Sequence, residues 1–465
     1  MIKRRLIVPL SPLAKFLHAM SNSIFSMLEC LFLGLIVFYA LSTGVSIVAV
    51  VVTVGLVLVF SALLIPLLTF LIDKTNNLYF GTYHGPLLIS IFLVVIFNGQ
   101  FWMLGEWDLG PVVTLVLLGF VSLINNIFLA CYRYCTHSIG DRICLDKNDK
   151  RTFDILKSVT FLVGILLAVG LLGGMMGSGS IANIGFVASC ITLVIGLVDF
   201  FVTYQYLPII KLKEAAKKIT RKERLRDIYV DFAKSISLKG HLKVFIGFCL
   251  SVVFFAMFFV SAYVYLSLFA SYYHLGAAGL VGIGLLACII GVWIFGALLS
   301  KKDKGVIVAA NLSATIVWVV VFVAFYVLLA MRVLPFGYWT ASIVIAVLGF
   351  LASANYVCFQ KLFVDAIKPK IKAPYNLCTI VYIVCFGLVV IVVGIFANSL
   401  PRQDSTQILD LQETRQYVLI SLNVFLAVAV YLTAAVLAVL SVQSKDKVKK
   451  IKAVIVEKPI VSKTE

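Results

Sequence analysis

Residues 66–86 read PLLTFLIDKTNNLYFGTYHGP and decide how the chain folds. One long apolar run ends at residue 72, and another begins at Pro86. Between them, an acid, a base, two adjacent asparagines and a glycine are typical of a tight polar turn that joins two helices. Asp73 can interact with the polar ends of neighbouring helices, and Gly81 permits a backbone bend that a side chain would resist. The stretch therefore predicts a short cytoplasmic loop in a polytopic membrane protein.

The composition supports a membrane protein. Of the 465 residues, 62% are hydrophobic and 13% are charged, and the mean hydropathy is +1.08. Soluble domains contain about half apolar and about a quarter charged residues. A helix needs about 20 apolar residues to cross a hydrocarbon core of roughly 30 Å. Twelve stretches meet that requirement and predict an all-α integral membrane protein: 20–41, 45–72, 86–104, 111–133, 155–175, 182–209, 244–272, 276–299, 306–331, 335–360, 377–399 and 416–442.

The basic residues predict the orientation of these twelve helices. The net charge is +18, and 36 of the 39 Lys and Arg residues lie in the two tails and in every second loop. The intervening loops hold only Arg332, Arg402 and Arg415. The positive-inside rule then places both termini in the cytoplasm. The basic charge is therefore a topology signal whose expected partners are anionic lipid head groups, and we expect no nucleic-acid partner.

A basic segment near the middle of the chain predicts two halves. Residues 211–243 form the longest cytoplasmic segment and separate a six-helix bundle at 20–210 from a second at 244–443, with cytoplasmic tails at 1–19 and 444–465. This layout is typical of transporters built from two repeated halves that alternate access to a central site. We expect a multi-pass protein of the cell membrane.

Glu29 is the leading functional candidate, because it lies near the middle of predicted helix one. A carboxyl group at that depth is costly and usually faces a cavity, pairs or exchanges a proton. Its alternative is a protonated, hydrogen-bonded structural residue. Ser26 lies one turn before it, and Asn22 follows the same helix toward the cytoplasm. We predict that these three residues bind substrate or a proton.

Helix four supplies a second polar group. Asn125 and Asn126 lie near mid-depth, and Arg133 is predicted at the inner end, where the three could bind an anionic or hydroxylated solute. Snorkelling of Arg133 to the interface is the equal alternative. Asp199 of helix six is predicted to be structural and to reach an interfacial Lys or Arg. No phosphate loop, nucleophile triad or metal-ligand cluster occurs in the sequence, so we predict no enzyme, cofactor or resident metal.

The stretch PLLTFLIDKTNNLYFGTYHGPLLI resembles the corresponding part of the glycoside–pentoside–hexuronide cation symporters, the melibiose-permease branch of the major facilitator superfamily. LDKNDKR at 145–151 and FQKLFVDAIKP at 359–369 are similar to that family's inner loops before helix five and after helix ten. The resemblance implies two six-helix bundles and a gating role at the cytoplasmic face for seven residues: Asp73, Lys74, Gly81, Asp146, Arg151, Gln360 and Asp365.

The departures from that family concern its cation site. The family's two helix-two acids fall here on Ser61 and Ile65, so the resemblance implies that the sodium site is lost. We therefore predict a secondary transporter of a small polar solute, such as a sugar or related metabolite, with proton coupling through Glu29 or facilitated diffusion as its two modes. The alternatives are a lipid or amphiphile carrier, and a non-transporting membrane scaffold or sensor.

Overall fold

The computed structural model describes residues 11–42, 45–75, 79–107, 109–144, 147–175, 181–208, 274–299, 302–330, 338–367 and 431–440, together with isolated positions at 210–254 and 383–429. Asp146, the end tails 1–10 and 444–465, and most of predicted helices seven, eleven and twelve and of the 211–243 segment lie outside the described residues. The proposed domain division therefore stays a prediction.

The first half contains six long helices. They are α1 (Pro12–Ser42), α2 (Ile47–Lys74), α3 (His84–Met103), α4 (Pro111–Ile143), α5 (Lys147–Met175) and α6 (Ile181–Tyr204), with a 3₁₀ turn at Leu104–Glu106. The second half contributes α7 (His274–Leu299), α8 (Lys304–Ala330), α9 (Tyr338–Ile367) and a shorter apolar helix, Tyr431–Leu440. The described elements are all helical, and eight of them are long and apolar enough to cross a membrane. A multi-pass helical protein is confirmed, whereas the total of twelve helices stays a prediction.

Several helices extend beyond their predicted spans, and the extensions of α4 and α5 correct the predicted loop at 133–157. Helix α1 begins at Pro12, because the Ser11 hydroxyl caps the Ala14 amide at 3.1 Å and proline suits a first helical position. Helix α4 continues to Ile143, and α5 begins at Lys147. Buried residues recur every fourth position through the end of α4, at Cys131, Cys135, Ile139 and Ile143. One buried face thus continues past the apolar window.

In the first half, α1 packs against α5 and α6, α3 packs against α4 and α6, and α2 packs against α4. Small residues allow the closest approaches. A side chain on Gly164 of α5 would collide with the Ser23 carbonyl of α1, and one on Gly185 of α6 would collide with Trp102 of α3. Helix association inside a membrane depends on such close packing, since lipid removes the hydrophobic difference between helices.

The two halves meet along α5 and α7. Gly282 and Gly296 of α7 lie against Leu166 and Ile155 of α5, so the two helices run antiparallel. A second contact joins α2 to Gly387, where a Cβ would lie 3.4 Å from the Gly55 carbonyl oxygen. The halves therefore touch on two sides of the bundle, as expected for a pair of bundles that can rock against each other.

Within the second half, α7 packs against α9 through facing glycines. An added Cβ on Gly349 of α9 would collide with the backbone carbonyl of Gly284 in α7.

We expect Gly349→Ala to lower the melting temperature of the purified protein in detergent, because overpacking a close contact costs about 1–3 kcal/mol. Gly170→Ala is the matched control, because Gly170 lies inside α5 with open space around it. Equal melting temperatures for the two variants would contradict this packing.

Candidate functional site

Asp73 joins three elements at the predicted cytoplasmic end. Its carboxylate accepts hydrogen bonds from the hydroxyls of Tyr83 and Tyr134, both at 2.8 Å. Arg142 donates from Nη2 to the Tyr83 hydroxyl at 2.6 Å, and its guanidinium carbon lies 4.2 Å from the centroid of the Tyr83 ring. Arg142 also donates to the Ser138 carbonyl at 2.8 Å. The end of α2, the turn before α3 and the end of α4 are thus held by one network.

The turn that precedes α3 has the bend that its sequence predicted. Gly81 adopts φ +68, a left-handed conformation that glycine takes without strain. A Cβ at Gly81 would also lie 3.1 Å from Cδ1 of Leu207, which follows α6. Lys74 places its ammonium 4.1 Å from the centroid of the Phe70 ring. The turn therefore packs against the end of α6.

The other residues of the cytoplasmic motif lie in helices. Arg151 falls within α5, and Gln360 and Asp365 fall within α9. The sequence placed Arg151 and Asp365 in loops, which is wrong because these helices continue past their apolar segments, and it placed Gln360 at the end of the predicted span 335–360. Asp146 lies outside the described residues. The gating role of these residues, like that of Asp73, Lys74 and Gly81, stays a prediction.

The candidate residues of α1 lie on its buried side. Glu29 is 9% exposed. Asn22 donates to the Lys157 carbonyl of α5 at 2.9 Å, and Ser26 donates to the Ser23 carbonyl at 3.2 Å. Cys30, next to Glu29, packs against the apolar clusters of both halves. Glu29 is thus at the level where the halves meet, whereas Asn22 and Ser26 are bonded to backbone carbonyls.

Arg133 is not at the inner end of its helix, which corrects its predicted position. Helix α4 continues for ten residues beyond it, which is about 15 Å. The Arg133 guanidinium carbon lies 5.1 Å from the centroid of the Phe25 ring of α1, and its charge is within electrostatic range of Tyr356 in α9. Tyr356 stacks on Phe161 of α5, with centroids 6.2 Å apart. Arg133 is therefore close to the junction of the two halves.

The two asparagines of α4, Asn125 and Asn126, differ in their hydrogen bonding. Asn126 donates to the Ser122 carbonyl of its own helix at 2.9 Å. The Asn125 side-chain oxygen is buried and has no hydrogen-bond partner in the described part of the chain. Of the pair, Asn125 therefore has the spare acceptor that a bound hydroxyl or amine could use.

Sequence reasoning missed a buried ion pair. His18 Nδ1 lies 2.5 Å from Asp199 Oδ1, and the two side chains are 2% and 0% exposed. Asp199 thus contacts a histidine of α1, not an interfacial Lys or Arg as predicted. The predicted helix one began at residue 20 and left His18 in the tail. Both residues lie near the same end of helices one and six, which is the signal that could have paired them.

Aromatic and basic groups surround this pair. The His18 ring stacks on Phe153 of α5, with centroids 5.0 Å apart and planes 7° apart. Gly140 of α4 leaves room for both rings. The Lys157 ammonium lies 4.4 Å from the centroid of Phe153 and 3.0 Å from Nδ1 of His137. A group of titratable side chains from several helices thus meets at the predicted cytoplasmic end.

The comparisons with known proteins identify the fold. No family model matches the chain, and no curated protein matches its sequence. A bacterial homologue of the iron transporter ferroportin, solved in an outward-facing state, superposes with a TM-score of 0.60 at 12% identity, over 93% of this chain and 100% of that chain. The same kind of homologue with soaked iron gives 0.59 and 12%, over 93% and 99%. The chain therefore has the same fold as these two structures.

This likeness confirms the predicted all-helical fold and its multi-pass membrane character, whereas the twelve helices and the cytoplasmic position of both termini stay predictions. The structural relatives are transporters, not enzymes. At 12% identity the likeness carries no cargo or family from those proteins to this chain. The resemblance to the melibiose-permease branch stays a prediction, because the comparisons support it only at the level of the fold.

The Asp73 network gives a test of its own. We expect Tyr83→Phe to lower thermal stability by roughly 1–3 kcal/mol, because it removes a hydroxyl that donates to Asp73 and accepts from Arg142. Tyr79→Phe is the control, since Tyr79 is 76% exposed in the same turn. Denaturation followed by tryptophan fluorescence in detergent measures both. Equal effects of the two substitutions would argue against the network.

Proposed function

We propose that this chain is a secondary transporter that moves a small polar solute across the membrane by alternating access. The observation that carries the proposal is the superposition of 93% of the chain on a bacterial homologue of an iron transporter. The contacts along α5 and α7, and between α2 and Gly387, support it, because they join the halves where rocking would open and close a central path.

The polar groups at the junction of the halves support a hydrophilic cargo. Glu29, Arg133 and Asn125 project from α1 and α4 at membrane depth, where charged groups are costly and are kept for function. An arginine and an amide oxygen suit a solute with hydroxyl or anionic groups. In this proposal Glu29 carries the coupling proton, and facilitated diffusion is the rival mode.

The sodium site of the resembling symporters is not part of the proposal. At the two positions of that family's acids, the Ser61 hydroxyl donates to the Leu58 carbonyl at 2.8 Å, and Ile65 is 2% exposed. Neither side chain offers a charge to a cation. A proton is therefore the coupling ion that we favour over sodium.

The proposal includes the orientation and helix count predicted from sequence: twelve helices with both termini in the cytoplasm. The Asp73 network would then lie on the cytoplasmic side, where it would hold the α2–α3 turn against α4 and act as a gating contact. Anionic lipid head groups would bind the basic segments on that side.

A second cargo is a divalent transition-metal cation. The structural relatives are homologues of an iron transporter, and one of them was solved with soaked iron. This cargo differs from a sugar-like solute in charge and in ligand chemistry, so one uptake experiment separates them. A lipid carrier and a non-transporting scaffold are the remaining alternatives.

Uptake into proteoliposomes tests the proposal, with pooled sugars and polar metabolites in one set and Fe²⁺ in another. We expect an inward proton gradient to drive uptake of a polar solute, and Glu29→Gln to reduce that uptake at least about tenfold, because the variant cannot exchange a proton. Glu106→Gln, at an exposed position after α3, is the matched control and should transport normally.

The other outcomes have distinct meanings. Uptake that needs no gradient and survives in Glu29→Gln would establish a uniporter and return Glu29 to a structural role. Saturable Fe²⁺ uptake without solute uptake would show that the cargo is a divalent metal cation and not a polar solute. Uptake of neither would overturn the proposal in favour of a lipid carrier or a scaffold.

A further inference from the structure

We propose that the buried His18–Asp199 pair is a proton-binding site at the predicted cytoplasmic end of the first half. The site differs from Glu29, which lies eleven residues further along α1, or about 16 Å. The inference deepens the proposed function, because a proton leaving Glu29 toward the cytoplasm would pass this pair. The binding of the proton itself does not depend on transport.

The geometry of the pair suits one shared proton. Nδ1 of His18 and Oδ1 of Asp199 are 2.5 Å apart, so a proton lies between them. A second proton, carried on Nε2 of the ring or on Oδ2 of the carboxyl group, makes the pair neutral overall, as either imidazolium with carboxylate or imidazole with carboxylic acid. Without it, a carboxylate remains beside a neutral ring. The two states differ by one charge at a site where both side chains are at most 2% exposed.

The outer atoms of the pair leave it able to exchange that proton. His18 Nε2 and Asp199 Oδ2 are both buried and have no hydrogen-bond partner in the described part of the chain. A pair with a purely structural role would be expected to satisfy these atoms as well. Nε2 of His18 and Oδ2 of Asp199 are instead available to a proton donor or to a water molecule that enters during the transport cycle.

The titratable groups near the pair come from three other helices. They are His84 of α3, Tyr132 of α4 and Lys157 of α5, and His137 of α4 contacts Lys157. The Lys157 ammonium lies 4.4 Å from the centroid of the Phe153 ring, which stacks on His18. His137 Nδ1 accepts a hydrogen bond from the Lys157 ammonium at 3.0 Å. Three of the five histidines of the chain thus lie in this one region.

The position of the pair gives the proton a structural effect. His18 belongs to α1 and Asp199 to α6, two helices that pack against each other. Phe153 of α5 stacks on His18, so a movement of the His18 ring would also displace a side chain of a third helix. Gain or loss of the proton therefore changes the contact that joins α1, α5 and α6 at this end.

Solid-state NMR of the full chain in liposomes, with ¹³C,¹⁵N-labelled histidine, tests the proposal. His18→Gln assigns the His18 ring by removing one of five sets of signals. We expect the ¹⁵N signals of the wild-type His18 ring to change with pH as the pair binds its proton. In Asp199→Asn the ring should bind a proton at least about tenfold more weakly, because the carboxylate that favours the protonated ring is gone.

His274 is the internal control, because it begins α7 at the opposite end of the bundle, and its titration should be the same in Asp199→Asn. If Asp199→Asn does not fold, Lys157→Gln replaces it and should raise the His18 midpoint, because a neighbouring positive charge is lost. A His18 ring that stays neutral down to pH 5, or a midpoint that neither variant moves, would overturn the proposal. These signals require no cargo, so absence of transport would leave the result intact.

Discussion

The absence of water in the hydrocarbon core constrains every polar group of this protein. Helices satisfy the backbone internally, and most hydroxyls of the described helices bond back to their own turn, as Ser90 does to the Pro86 carbonyl and Thr315 to the Asn311 carbonyl. Polar side chains that bond to another helix are therefore few. The His18–Asp199 pair and the Asn98–Ser189 bond at 2.9 Å both attach α6 to a neighbour. Such bonds fix which helices are adjacent.

Between these polar contacts, glycine residues determine how closely two helices approach each other. In water, large apolar side chains would drive helices together, but lipid solvates them equally well. The closest contacts are accordingly made where Gly164 faces α1, Gly185 faces Trp102 and Gly349 faces Gly284. Glycines also allow close packing between the halves, where Gly282 and Gly296 of α7 lie against α5. Contacts made by glycines rather than interlocked long side chains allow two helices to slide or rock with little repacking.

Local sequence features predicted much of this architecture. Hydropathy located the membrane helices, and the turn at Gly81 followed from residue chemistry alone. The sequence did not predict the helix ends, because α4 and α5 continue as polar helices past their apolar segments. As a result, Arg133 lies toward the junction of the halves and not at the membrane interface. The His18–Asp199 contact joins residues 181 positions apart. Only the packing of α1 on α6 brings them together, and no spacing in the sequence carries that information.

Charge is distributed unequally between the two halves. The buried or half-buried charged side chains described above all belong to the first half: Glu29, Arg133, Arg142, Lys157 and Asp199. In the described part of α7, α8 and α9, the buried polar side chains are uncharged, and the amides of Asn311 and Asn355 have no hydrogen-bond partner there. A proton or an ionic cargo changes its interaction most with charged groups. Among the described residues, an ion would therefore interact most strongly with the first half, while α7, α8 and α9 offer neutral hydrogen-bonding groups.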